Sequence, residues 1–485
     1  MKRTGLIAAR KAAGYTQEQL AAALNVDRST VIRWEAGDYS PLPYLRPKLA
    51  RLLRQTPEQL RSLIDDDPGA MPGTLSPDVE AACIWLDDRL NWKPGTSAQR
   101  VTARLPRTRR ELPIRQALRA RVERSDVVAA LRGYYGTDAD YSLYTAHFGG
   151  QALETSILTR PEWLNLDIPL DETTDALTLV SATSMPTADP VPEAALERLA
   201  EVEASGVRLT NEQIYRLLEV DIRDGSIHGI VDVAPFLEYA LTLDLLESEL
   251  LDALAAGKPI KPGSLPLRDR YLPSLASVLD LPSRLAAGGV LALCAFSHET
   301  SQRDEADHLL LIQERSHLVI NATKQLTVIP KGFHQPMTDP HADTSLRSTL
   351  FRELEEELFG RADLDNTVST PRAALPMHPR RLSEPMQSLL TKGGLRPECT
   401  GFGFNLVSGN YEFACLLTID HENFWSQYGG HIEANWEARG IHTYPDRHLR
   451  SLAGLPSDSK WNNEGLFALA HGLSRLSYLS ERRKL

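Results

Sequence analysis

The sequence predicts a multidomain protein: an all-α head over 1–64, a linker over 65–77, a mostly helical middle region over 78–280, and an α+β domain over 281–485. Three observations predict it. The first 64 residues are short capped amphipathic segments separated by tight turns. The run from Asp65 to Pro77, DDDPGAMPGTLSP, has the composition of a linker. Beyond about Leu281, apolar residues gather into short runs around one acidic helix. The length of 485 residues allows two to four domains with sizeable cores.

In the head, Leu6 to Gly14 reads as a first helix, with Leu6, Ile7 and Ala9 inward and Arg3, Arg10 and Lys11 outward. The stretch Thr16 to Gly37, TQEQLAAALNVDRSTVIRWEAG, reads as two helices about a turn at Asn25-Val26. Thr16 and Gln19 have the spacing of a capping box, and Leu20, Ala21 and Leu24 share one helix face. Asp27 suits the N-cap of the second helix, Val31 and Trp34 its buried side, and Gly37 its left-handed stop. Pro41 and Pro43 break the chain, and Tyr44 to Arg54 and Pro57 to Ile64 read as closing helices.

Those residues resemble the Cro/phage-repressor-type (XRE family) helix-turn-helix over roughly Thr4 to Leu63. Gln17, Leu20, Ala21, Val26, Thr30, Trp34, Glu35 and Gly37 carry the resemblance. It implies double-stranded DNA as partner, with the second helix of the pair in the major groove. Arg28, Ser29 and Arg33 would then face bases, Thr30 would bond the DNA backbone, and Gln17 would hold a phosphate or assist base contact. Arginine can pair bidentately with guanine, and serine can serve either partner. Ile32 stands where the family more often has a polar residue; it can touch a thymine methyl or pack on a neighbour.

Charge supports this division. The net charge is −11, yet Met1 to Ile64 holds eleven Lys/Arg against five Asp/Glu, leaving 42 against 59 for the rest. A basic head on an acidic body suits local contact with DNA. Cys83, Cys294, Cys399 and Cys415 form no CxxC pair, so a disulfide framework or zinc site is not expected. No apolar run approaches a membrane span, and residues 1–20 lack a signal peptide's core, which points to the cytoplasm.

In the middle region, Ala81 to Leu90, Ala188 to Leu218 with a break at Gly206, and Ala234 to Ala256 read as helices; Asp224-Gly225 marks a turn. Arg100 to Arg124 holds nine arginines and no lysine. It can be a solvated helix face, an auxiliary phosphate contact, or a clamp for an anionic ligand. Tyr134, Tyr135, Tyr141, Tyr144 and Trp163 can line a pocket or fill a core.

In the last region, Gly289 to Phe296, His308 to Glu314 (continuing at His317 to Ile320), Leu326 to Pro330 and Tyr411 to Ile419 read as strands, Thr349 to Leu358 as an acidic helix, and Trp461 to Leu479 as a closing helix. Glu353, Glu356 and Glu357 fall at i, i+3 and i+4, so an α-helix gathers them on one face, where they can offer carboxylates to Mg²⁺. IPKGF (329–333) followed by RELEEE resembles part of a Nudix box. The match is partial: Gly332 lies about six residues too far from Arg352, Thr344 stands where a glutamate is expected, and Phe359 where a glycine is. The resemblance implies Glu353, Glu356 and Glu357 as metal ligands and Lys331, Gly332 and Arg352 beside a nucleotide or phosphorylated small molecule, with His334 a minor candidate.

The expectation is therefore a cytoplasmic, homodimeric, DNA-binding transcriptional regulator with a Nudix-like domain for ligand sensing or assembly. The rivals are a Mg²⁺-dependent hydrolase of nucleoside diphosphate derivatives carrying a DNA-binding head, and an interaction protein whose head only autoregulates.

Overall fold

The chain divides into two units, Met1–Thr74 and Leu75–Leu485. The computed structural model describes residues 3–24, 26, 28–37, 41, 45–55, 60, 63–64, 75–148, 151–181, 187–207, 209–298, 307–315, 325–337, 339–359, 382–420, 424–428, 438–445 and 461–482. Asp27, Pro43, most of the expected linker, most of the expected helix at 57–64, and the continuation at 317–320 lie outside them.

The first unit contains α1 (Thr4–Ala12), α2 (Gln17–Leu24), α3 (Arg28–Ala36) and α4 (Leu45–Leu53). Its core joins Leu6, Ala9, Leu20, Ala21, Leu24, Val31 and Trp34 to Leu45, Leu49 and Leu53. The expected capping box is present: the Thr16 hydroxyl accepts the Gln19 N–H at 3.1 Å, and the Gln19 side chain accepts the Thr16 N–H at 2.9 Å. Gly37 ends α3 at φ +83°.

Among the described residues, the second unit is built on a mixed sheet of ten strands. Its main path runs β1 (Ser142–Phe148), β2 (Gln151–Thr159), β11 (Leu395–Asn405), β12 (Asn410–Ile419), β7 (Gly288–His298), β8 (Asp307–Arg315), β13 (Ala438–Pro445). Neighbours on this path are antiparallel except the central pair β12–β7, which is parallel along its whole length from Tyr411↔Gly288 to Ile419↔Phe296. The short strands β3 (Ile168–Pro169), β9 (Leu326–Val328) and β10 (Lys331–Phe333) attach to β11, β8 and β7. A second sheet has the order β4 (Asp175–Ser181), β6 (Ser226–Pro235), β5 (Gln213–Arg223).

β12 reads as an almost unbroken apolar run because both faces are covered. On one face its Phe413, Cys415 and Leu417 join the core beneath Leu346, Leu350 and Leu354. On the other, Ala414 and Leu416 meet Leu466, Phe467 and Leu473 of the C-terminal helix Asn463–Arg482. A separate helical core unites α5 (Pro77–Arg89), α6 (Thr96–Arg119) and α8 (Pro192–Ser205) through Val79, Leu86, Val101, Leu105, Leu196 and Leu199. Helices α7 (Arg124–Tyr135), α9 (Phe236–Ala240), α11 (Pro266–Tyr271) and α12 (Leu275–Leu279) add Leu131, Tyr239, Leu267 and Val278 to the large core.

Several expectations need correction. The region read as mostly helical also carries six strands, β1 to β6, and β1, β2 and β3 belong to the large sheet. That sheet therefore draws strands from both sides of residue 280. The helix expected to run to Leu218 stops at Ser205, before Gly206, and residues 213–223 form β5. Asp224 and Gly225, both at positive φ, make a two-residue hairpin turn that pairs Arg223 with Ser226. The long helix expected over 234–256 is instead the end of β6, then α9, then α10 (Leu245–Ala255). Apolar residues buried on every side, such as Leu237, Leu241, Leu243 and Leu246, erase the periodicity that separates one long helix from two short ones.

The arginine-rich stretch runs through α6 to the start of α7, and the charge of α6 is met mainly within the protein. Arg104 pairs with Glu193, Arg107 and Arg115 with Glu197 at 2.8 and 2.9 Å, Arg115 also with Glu201 at 2.9 Å, and Arg119 with Asp252. The Arg100 guanidinium lies 4.4 Å from the Trp92 ring centroid. The aromatics of 134–163 are core: Tyr134 donates to Asp269 at 2.6 Å, Trp163 packs edge-on against Phe402, and Tyr144 against Phe467. Cys83, Cys294, Cys399 and Cys415 are free and buried.

Candidate nucleic-acid interface

α3 divides its residues sharply between interior and solvent. Val31, Trp34 and Glu35 are buried, at the i, i+3, i+4 spacing of one helix face. Arg28, Ser29, Ile32 and Arg33 are exposed, and Thr30 is half-buried. The three residues expected to face bases thus share the outward side of one helix, which carries two cations and a hydroxyl. Ile32 is 40% exposed on the same side, positioned for an apolar contact.

A buried polar cluster fixes α3. The Arg10 fork on α1 donates to both Glu35 carboxylate oxygens, at 2.6 and 3.3 Å, and to the Tyr15 carbonyl at 2.7 Å. The Gln17 amide donates to Glu35 Oε2 at 2.6 Å. Arg3 reaches the Trp34 carbonyl at 3.0 Å, and its own N–H donates to the Glu35 carbonyl. The first turn of α2 and the last turn of α3 are therefore tied through one carboxylate. Gln17 is engaged inside the head, so its amide must exchange Glu35 for a phosphate, or share the two, to contact DNA. Arg10, expected outward, is buried in the ion pair. The sequence signal for this pair was available: an acid beside Trp34 on the inward face of α3 needs a buried cation.

The residues expected from the Nudix-like box do come together, but they satisfy one another. Helix α13 (Leu346–Glu353) continues as a π-helical turn over Leu354–Leu358. Arg352 is buried and donates to Glu353 at 2.7 Å and to the Phe333 carbonyl at 3.0 Å. Glu353 lies against Gly332 so closely that an added Cβ would stand 2.0 Å from its carboxylate oxygen. Glu357 accepts the Lys331 N–H at 2.8 Å, and the Lys331 ammonium pairs with Glu464 at 2.7 Å. Glu355, not singled out by the sequence, is buried and receives the Ser383 N–H and hydroxyl. Glu356 is half-buried. The widened turn breaks the α-helical register on which a shared face for Glu353, Glu356 and Glu357 depended. Among the described residues, no three His, Cys, Asp or Glu side chains are arranged to hold a metal ion. Glu353 and Glu357 are already bound within the protein, which does not suit a Mg²⁺ ligand set.

Thr344, in the position of the missing glutamate, donates to the Leu177 carbonyl. His334 is enclosed: Nε2 donates to the Thr344 carbonyl at 2.7 Å, and Nδ1 lies 3.1 Å from the Tyr411 hydroxyl. Burial holds its pKa down to about 3, so it is a neutral structural imidazole. Among the described residues no helix is long and apolar enough to cross a membrane.

No curated protein matches the chain. Residues 6–60 match the helix-turn-helix family model, so the first unit carries a DNA-binding helix-turn-helix of the XRE type.

Proposed function

We propose that this protein is a sequence-specific transcriptional regulator that binds double-stranded DNA as a homodimer in the cytoplasm. The observation that carries the reading is α3: Arg28, Ser29 and Arg33 exposed on a helix anchored from behind by Val31, Trp34 and Glu35. In this reading Arg28, Ser29 and Arg33 contact bases, and Thr30 and Gln17 contact the backbone. Two heads on a two-fold axis would read half-sites about one helical turn apart. The second unit senses a small ligand or mediates assembly. Ligand binding shifts DNA affinity only to the extent that it favours one placement of the two heads over the other.

The C-terminal region, with its resemblance to a Nudix fold, serves sensing rather than hydrolysis. Support comes from the carboxylates of the acidic helix: Glu353 and Glu357 are engaged by Arg352 and the Lys331 backbone, which suits a structural joint better than a hydrolytic centre.

The test is binding of the full chain to its own upstream region across a salt series. Specific binding should weaken steeply with salt, since phosphate contacts release counterions. Arg28→Ala should cost about 1–3 kcal/mol on the preferred sequence and relax preference at one position. An equal loss on every sequence would reduce Arg28 to a phosphate contact. Absence of any sequence preference in the parent protein would defeat the proposal.

A further inference from the structure

α3 presents one large apolar side chain among its exposed polar ones. Ile32 is 40% exposed, while Val31 and Trp34, the other large apolar residues of the helix, are 0% and 2% exposed. Among the described residues of the first unit, no other large hydrophobic side chain is exposed. A lone exposed isoleucine is ordinary on a protein surface. Its place on the helix is what gives it meaning.

With about 3.6 residues per turn, successive positions rotate by about 100°. Ile32 therefore points between the directions of Arg28 and Ser29, one turn further along the helix, and Arg33 follows on the far side of Ser29. All four are exposed, and Val31, Trp34 and Glu35 face the interior. A duplex that meets Arg28, Ser29 and Arg33 must meet Ile32 as well.

Charge decides between the two surfaces able to cover this side chain. Packing Ile32 on its counterpart in a second head would bring Arg28 and Arg33 of both heads together, and like charges juxtaposed at an interface are costly. DNA carries the opposite charge, so the same two arginines favour it. In the major groove the one apolar group on a base edge is the C5-methyl of thymine; the other groups are hydrogen-bond donors and acceptors. A branched side chain with no polar atom gains from that methyl, whereas over a bare donor or acceptor it would exclude water and offer nothing in return.

We propose that Ile32 is a specificity-determining residue that reads the C5-methyl of a thymine in each half-site, beside the bases met by Arg28 and Ser29. This rests on the DNA-binding reading above and extends it to one identifiable group on the DNA. Because the methyl is what is read, 5-methylcytosine at the same position presents the same group, and cytosine methylation there strengthens binding.

The test titrates the full chain with its preferred duplex, each thymine in turn replaced by deoxyuridine, which removes only the methyl. The expected result is binding about fourfold weaker at one thymine of a half-site, the worth of one buried methyl group. Ile32→Ala, an exposed position whose fold circular dichroism checks, should show no such difference between thymine and deoxyuridine. At the same position 5-methylcytosine should bind more tightly than cytosine in the parent and equally in Ile32→Ala. A preferred sequence in which no thymine methyl matters would overturn the proposal. So would a methyl effect that persists in Ile32→Ala, which would belong to DNA deformability. An equal loss for Ile32→Ala on the thymine and deoxyuridine duplexes would also overturn it and place Ile32 between heads. In each of these cases specific binding by the parent leaves the regulator reading standing; absence of any sequence preference in the parent removes both.

Discussion

Glu35 receives two hydrogen bonds from Arg10 and one from Gln17 in the interior of a small helical unit. Both members of the ion pair are buried, at 5% and 6% exposure. Removing one partner strands the other charge in a medium that solvates it poorly. Glu35→Ala should therefore destabilise the head by about 3–5 kcal/mol, while an apolar replacement of both residues should recover much of that. Hydrogen exchange of the head amides in the full chain reads both effects; a change under about 1 kcal/mol for the single variant would show the pair to be well solvated. A second residue acts through pH. Asp175 accepts the Arg347 N–H at 3.0 Å at the start of α13, and burial raises its pKa to about 6. The folded state thus holds this proton more tightly than the unfolded chain. Its stabilising contribution is complete below the ordinary aspartate range and is lost as pH rises through about 6. His334 works in the opposite sense: held neutral, it contributes stability above the ordinary histidine range that is lost on acidification. Asp175→Asn should gain on the order of 2 kcal/mol over the parent between pH 4 and pH 8, measured by urea unfolding at each pH. Equal pH profiles for the two proteins would refute the assignment.

At the scale of elements, the clearest case is the hairpin of β5 and β6. Its two turn residues, Asp224 at φ +52° and Gly225 at +73°, have the backbone that matches the twist of the flanking strands. Gly225→Ala should cost about 1 kcal/mol, because a Cβ disfavours that region, and thermal unfolding would detect it. No loss would mean the turn relaxes to another type. α6 shows why local reading failed for the arginines. Its sequence supplies the cations, but the glutamates that meet them lie on α8, about ninety residues away: Arg104 with Glu193 and Arg107 with Glu197. Those pairs are partly exposed, so they specify which face of α6 meets α8 more than they add stability. The acidic helix makes the same point in reverse. Glu353 and Glu357 suggested a metal, yet their partners are the Arg352 guanidinium and a backbone N–H of β10.

For the whole molecule, the division into Met1–Thr74 and Leu75–Leu485 places α3 in a small unit with its own core. Under the proposed dimeric reading, a fragment ending at Ile64 should bind DNA more weakly than the full chain, because the second head no longer binds as part of one complex. Equal affinities for fragment and full chain, compared by titration on one duplex, would place dimerisation in the head or remove it. The second unit cannot be cut at residue 280 in the same way. β2 pairs with β11 through Leu158↔Phe404, and β3 with β11 through Ile168↔Cys399, so a fragment beginning at 281 would expose an edge of its central sheet.

The sequence by itself determined the helix-turn-helix, from Thr16 and Gln19 at its cap to Gly37 at its end, and the solvent-facing placement of Arg28, Ser29 and Arg33. Those features rest on spacing along one or two helices, where neighbours in sequence are neighbours in space. It also determined β7, β8, β9 and β12, whose apolar runs are too short for helices. Only the tertiary structure decided that 142–235 contributes strands to two sheets, that the α6 arginines meet α8 and α10, and that Arg10 and Gln17 converge on Glu35. Burial on all sides removes the periodicity that distinguishes strand from helix. The partner of a charge is set by which elements pack together, and in β12 and β7 the paired residues stand more than one hundred positions apart.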